Sequence, residues 1–239
     1  MKGLAASFLG LLVMACSGCG GGESADPAPQ QPAVQAQQKP SIVIAAEGDS
    51  TIWGQQTIDS SYARSAHPAP AVTQSILREQ FGDTVTVSNQ GRGGATAREA
   101  IVGQPRYDMP FAQRMATDPA RIVVMNWAIN DYTRSSRDDY RESLIAAVNI
   151  VRAAGKIAVL EEPNPICIPG GDDMEKYVAI MRTVAVDTRT PLIAQYDYIR
   201  SLPDWKGMLT DCLHPNDDLY AIKGQKVAIA LAPIVAGIR

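Results

Sequence analysis

From Ser41 onward the chain alternates short, nearly unbroken apolar runs with longer stretches whose apolar residues recur every three or four positions. The first pattern suits strands covered on both faces, and the second suits helices with one buried stripe. The runs predict strands at 42–47, 85–89, 122–127, 157–161 and 192–196. The periodic stretches predict helices at 69–81, 95–101, 138–154, 174–186 and 222–238. In the third helix Tyr140, Leu144, Ala147, Val148 and Val151 share a face, and Gly155 is placed to close it as a left-handed cap. Strands alternating with helices imply an α/β domain with a central parallel five-stranded sheet between two helical layers. The segment from 54 to 68 is polar and reads as a loop, and no internal repeat is visible.

The N-terminal 40 residues break this pattern. Met1-Lys2 precedes an apolar stretch from 4 to 15, too short and wrongly flanked for a spanning helix, so residues 1–15 read as a secretory signal. Leu12-Val13-Met14-Ala15-Cys16 resembles the bacterial lipoprotein box, which implies lipidation at Cys16 and an envelope protein attached to the membrane through that lipid alone. Such a protein is expected at the periplasmic or outer-membrane face. Residues 16–40 are mostly glycine, proline, alanine and glutamine, a composition that cannot offset the entropy of ordering and is expected to form a disordered tether. The folded domain is then expected at 41–239.

Hydrophobic residues make up 46% of the chain and charged residues 20%, enough for a sizeable core. With 22 basic and 25 acidic residues the formal charge is −3, and removing residues 1–15 takes away Lys2 alone, giving 21 against 25 and −4. No basic stripe is present to neutralise phosphates, which argues against a nucleic-acid partner. Two of the four cysteines fall in the domain, and Cys167 and Cys212 of an exported protein are expected to form a disulfide, since both follow predicted strands in loops. The two histidines, His67 and His214, are too far apart in sequence to suggest a metal centre, and no lysine follows the glycines near Ser50 as a phosphate loop requires. No cofactor is expected.

An open parallel sheet places its ligand site beyond the carboxyl ends of its strands. Ser50 follows the first predicted strand, Gly93-Gly94 the second, Asn130-Asp131 the third and His214 the fifth, so four segments converge on one end. A serine, an imidazole and a carboxylate are what acyl transfer requires. Taken singly, the bland readings are strong: an N-cap at Asp49, Ser50 or Thr51, a flexible turn at Gly93-Gly94, a capping pair at Asn130-Asp131.

Together, Gly48-Asp49-Ser50-Thr51, Asn89-Gln90-Gly91-Arg92-Gly93-Gly94, Ala128-Ile129-Asn130-Asp131 and Asp211-Cys212-Leu213-His214 resemble, in order and spread, the four blocks of the SGNH, or GDSL, hydrolase family. That resemblance implies a flavodoxin-like three-layer fold, with Ser50 as nucleophile on a tight turn permitted by Gly48, His214 as base, and Asp211 orienting it. It implies an oxyanion hole made by the backbone N–H groups of Ser50 and Gly94 and the Asn130 amide. The expected reaction is hydrolysis of a short acyl ester, with acylated carbohydrate as a candidate substrate, through an acyl-enzyme on Ser50. An O-acyltransferase of envelope polysaccharide and a non-catalytic glycan-binding lipoprotein are the competing readings. The sequence departs from the family pattern at Ala128, where glycine usually stands, and at Glu47, where an apolar residue is usual. Trp53, Tyr62, Trp127 and Tyr132 lie near the expected pocket, with Trp127 reading as core. His67, in a proline-flanked loop, reads as surface or rim.

Overall fold

The computed structural model describes residues 41–239. The expected signal, the lipidation site at Cys16 and the tether lie outside the described residues. Five parallel strands form the main sheet: β1 (Ile42–Gly48), β4 (Val85–Asn89), β5 (Ile122–Asn126), β6 (Ile157–Glu161) and β7 (Leu192–Ile193), in the order β4-β1-β5-β6-β7. Between β1 and β4 the chain forms α1 (Ser50–Trp53), an antiparallel hairpin of β2 (Gln55–Ile58) and β3 (Ser61–Arg64), and α2 (Ala69–Phe81). Then come α3 (Ala97–Val102), α4 (Phe111–Thr117), α5 (Ile129–Arg134), α6 (Arg137–Ala153), α7 (Met174–Asp187), α8 (Tyr196–Arg200) and α9 (Asp217–Gly237).

Strand alternation sorts the core into two layers. Ile42, Ile44, Ile122, Val124 and Val159 point to one side, where Leu77 of α2 and Val227, Leu231 and Val235 of α9 cover them. Ala45, Val123, Met125, Ala158 and Leu160 point to the other, against α3, α4, α6 and α7. The result is the α/β/α sandwich expected from the apolar runs. By length and composition α9 could cross a membrane, yet its buried stripe is the cover of this sheet.

Differences from the expected elements have local causes. The fifth strand stops at Ile193, and Tyr196, expected in it, opens α8 instead. Buried Glu162 draws the chain round, its Oε2 accepting the N–H groups of Gln195 and Tyr196 at 2.9 Å each. Helix α9 starts at Asp217, five residues before its apolar periodicity, because the Asn216 side chain accepts the Leu219 N–H at 2.9 Å and caps it. The segment expected as a loop at 54–68 contains the hairpin, turned through Asp59 (φ 48°) and Ser60 (φ 62°). Two successive left-handed residues are the signature of the tight turn that suits strand twist. Gly155, with φ 71°, stands where α6 ends, as expected.

Candidate active site

The site is assembled at the carboxyl ends of β1, β4 and β5, with the His214 imidazole delivered by the segment before α9. Gly48 closes β1 where a Cβ would lie 2.5 Å from both Asn126 O and the Ile52 side chain, so the chain turns into α1 packed tightly on the sheet. The N-cap is Asp49, whose Oδ1 accepts the N–H and hydroxyl of Thr51, each at 2.8 Å. That leaves the Ser50 hydroxyl free for other work, and it meets His214 Nε2 at 3.0 Å across 164 residues of sequence.

Asp211 holds the other side of the imidazole. Its Oδ2 lies 2.7 Å from His214 Nδ1, and its Oδ1 accepts the N–H groups of Leu213 at 3.1 Å and His214 at 2.7 Å. Partial burial pushes the Asp211 carboxyl up, but hydrogen bonds from Thr57 and His214 outweigh it, and the net shift is downward. An ionised Asp211 can only accept, so Nδ1 carries the proton and Nε2 offers its lone pair to Ser50. The arrangement can take a proton from the serine hydroxyl. Cys212, with φ 63°, turns the chain between Asp211 and His214, and its disulfide to Cys167 pins this turn to the loop after β6, as expected from the sequence.

Thr57 was not legible as a site residue. Its hydroxyl donates to the same Asp211 Oδ2 at 2.6 Å, and its N–H donates to Thr210 Oγ1 at 3.0 Å, so the hairpin braces the segment that carries the base. The signal available was the alternation of Thr57 and Ile58 with Tyr62 around a two-residue turn. Opposite Thr57, Tyr62 is 78% exposed and stands edge-on to the His214 ring, 6.2 Å between centroids. His67 is exposed, and its N–H donates to Ser65 Oγ at 2.9 Å.

The other blocks also arrive here. Asn130 Nδ2 donates to Ala95 O at 3.1 Å, which places this amide against the loop carrying Gly94, whose φ is 72°. Ala128 has φ −177°, outside the left-handed region that favours glycine, and its methyl is buried in the core. Trp127 is fully buried, its indole N–H 3.3 Å from the Tyr107 hydroxyl. Glu47 is buried beneath the site in an ion pair with Arg114, whose guanidinium lies over the rings of Tyr107 and Phe111. Burial pushes the Glu47 carboxyl up and Arg114 opposes it. On the α9 side, buried Lys223 donates to Asn164 Oδ1 at 3.2 Å with Glu161 4.0 Å away; burial lowers the lysine and raises the glutamate. Among the described residues no group of three metal-ligating side chains is present.

Asp131 links two elements of the site, accepting the Ala97 N–H at 3.0 Å and the Ser135 hydroxyl at 3.2 Å. Burial raises it from 3.8 to about 7, against those hydrogen bonds. The folded chain therefore binds one more proton than the unfolded chain between these two values. That contribution to stability is fully present below pH 3.8 and is lost as pH rises through about 7, at up to about 1.4 kcal/mol per pH unit. Asp131→Asn keeps an acceptor for Ala97 and cannot titrate. Urea denaturation at stepped pH is expected to give a flatter stability profile across this window than wild type, and parallel profiles would refute the assignment.

A sequence model described as the GDSL-like Lipase/Acylhydrolase family matches residues 46–222. No curated protein matches the chain. Among solved structures, a carbohydrate acetylesterase from Sinorhizobium meliloti is similar over 81% of this chain and 100% of its own, with TM-score 0.65 and 15% identity. The aryl esterase of M. smegmatis shares 16% identity over 83% of this chain and 100% of its own, with TM-score 0.62. Axe2, an acetylxylan esterase from Geobacillus stearothermophilus, shares 17% over 81% and 94%, with TM-score 0.58. At these identities the likeness is one of fold.

Proposed function

The chain belongs to the GDSL-like lipase/acylhydrolase family and is a serine hydrolase of ester bonds, and on that premise we propose that it removes short, acetyl-type acyl groups from carbohydrate through an acyl-enzyme on Ser50. The observation that carries the reading is the unbroken line from Asp211 through His214 to Ser50, at 2.7 and 3.0 Å. In the first half-reaction His214 Nε2 takes the hydroxyl proton as Ser50 Oγ bonds to the ester carbon, and negative charge collects on the carbonyl oxygen. The N–H groups of Ser50 and Gly94 and the Asn130 amide are the donors for that oxyanion. Collapse breaks the bond to the alcohol oxygen, which leaves with the proton from His214. Water then repeats the sequence on the acyl-enzyme, giving up a proton to His214, and Ser50 recovers it as the acid leaves.

The departing alcohol must pass His214, and there the exposed face of Tyr62 is available to a sugar ring. The carbohydrate acetylesterases among the structures sharing this fold point the same way. The signal-like N-terminus and Cys16 support export and lipid anchoring in the bacterial envelope, and the Cys167–Cys212 disulfide suits an oxidising compartment. Treatment with a fluorophosphonate probe is expected to place one adduct on Ser50, and sugar acetates are expected to turn over faster than the matching butanoates. Absence of both adduct and turnover would reject the enzyme reading, and a preference for longer acyl chains would reject the substrate.

A further inference from the structure

The turn carrying Gly94 is held from outside. Arg92-Gly93-Gly94-Ala95 closes with the Ala95 N–H donating to Arg92 O at 3.1 Å. Gly94 has φ 72° while Gly93 is outside the left-handed region, the φ pattern of a type II turn. Type I and type II turns differ by a flip of the middle peptide, here the unit joining Gly93 to Gly94. With no Cβ on either side, two glycines oppose that flip very little. Because a trans peptide is planar, its C=O and N–H point in opposite directions. Whatever grips Gly93 O therefore sets where the Gly94 N–H points.

That grip comes from Arg106, whose Nε donates to Gly93 O at 3.1 Å. The guanidinium is itself fixed by Glu99, with Arg106 Nη1 2.7 Å from Oε1. Glu99 Oε1 also holds Arg134 Nη1 at 3.0 Å, and Arg134 Nη2 donates to Gly94 O. Glu99 is anchored in turn as the N-terminal box residue of α3, its Oε2 accepting the Thr96 N–H at 3.0 Å. Arg106 also lies across Gly94, where a Cβ would come within 2.9 Å of Nε.

We propose that Arg106, steadied by Glu99, is a positioning residue that locks the Gly93–Gly94 peptide in its type II orientation and so keeps the Gly94 N–H directed at the oxyanion. The inference rests on Gly94 being an oxyanion donor. Releasing the peptide lets the N–H turn away and weakens the transition state without changing how the ester docks.

Arg106→Met removes the donor and keeps the reach; Arg106→Lys keeps a donor. In Arg106→Met, kcat for a neutral acetate ester is expected to fall about 10- to 100-fold with KM unchanged, and Arg106→Lys to recover most of it. A thionoester of the same structure separates the two readings, because a thiocarbonyl sulfur accepts hydrogen bonds poorly. Wild type is expected to favour the ester strongly, and Arg106→Met to narrow that preference. If wild type shows no preference, the oxyanion reading of Gly94 fails. If wild type discriminates and Arg106→Met discriminates equally, or keeps its kcat, the lock is refuted. Should Arg106→Met not fold, Arg106→Leu, which likewise has no donor, carries the same comparison, with melting temperature as the control.

Discussion

Replacing Ser50 with alanine is expected to leave a folded protein whose turnover of a chromogenic acetate ester is lower by about five orders of magnitude or more. The size follows from what the proposal asks of the hydroxyl: it meets His214 Nε2 at 3.0 Å, so removing it deletes the atom placed to attack under that base. The fold has little reason to suffer. Asp49, not Ser50, caps α1, and alanine is favourable at a first helical position that is already buried. Steady-state rates on purified variant and wild type, with melting temperatures alongside, make the comparison. A Ser50→Ala protein that retains a tenth of the activity would remove Ser50 from the chemistry.

Asp211→Asn is expected to lose about 10⁴-fold in kcat while remaining folded. The orientation of the new amide is dictated by its surroundings. The Oδ1 position receives two backbone N–H groups, from Leu213 and His214, and an NH2 there would face two donors. The amide oxygen must take that position, which turns the NH2 toward His214 Nδ1 and Thr57, where Oδ2 stood. Nδ1 must then present its lone pair, and the ring proton moves to Nε2, facing Ser50. An imidazole in that tautomer cannot accept the serine proton. The pH–rate profile is the discriminating measurement: recovery of activity only at alkaline pH, where hydroxide or a deprotonated serine substitutes for the base, fits a wrong tautomer. A small uniform drop at all pH values would show that Asp211 only packs.

What the sequence conveyed well was anything encoded by periodicity or by a short motif. The central strands announced themselves because they are covered on both faces and continuously apolar, as Ile42–Ala46 and Ile122–Met125 are, whereas edge strand β4, half-buried, shows through the alternation of Val85 and Val87 with Thr86 and Ser88. The serine–histidine–aspartate group was legible through the order of its blocks and the carboxyl-end rule for open sheets. What remained hidden depends on single tertiary contacts. Tyr196 reads as strand by its aromatic ring, and only the buried Glu162 carboxylate, distant in sequence, turns it into a helix start. The short helices α1, α4, α5 and α8 have too few residues for a period to emerge. Thr57 and Arg106 carry no motif at all; their roles come from one hydroxyl reaching Asp211 and one guanidinium reaching Gly93 O. Glu47, out of pattern in the sequence, is explained once Arg114 is seen beside it.

The Ser50 hydroxyl and the His214 imidazole, the proposed nucleophile and base, lie 164 positions apart along the polypeptide. On the proposed mechanism a chain emerging from its biosynthetic machinery carries an inert serine until the segment with His214 has been made and settles against it. Return of turnover after denaturation is in consequence a clock for the final docking step, readable with nothing more than a coloured substrate.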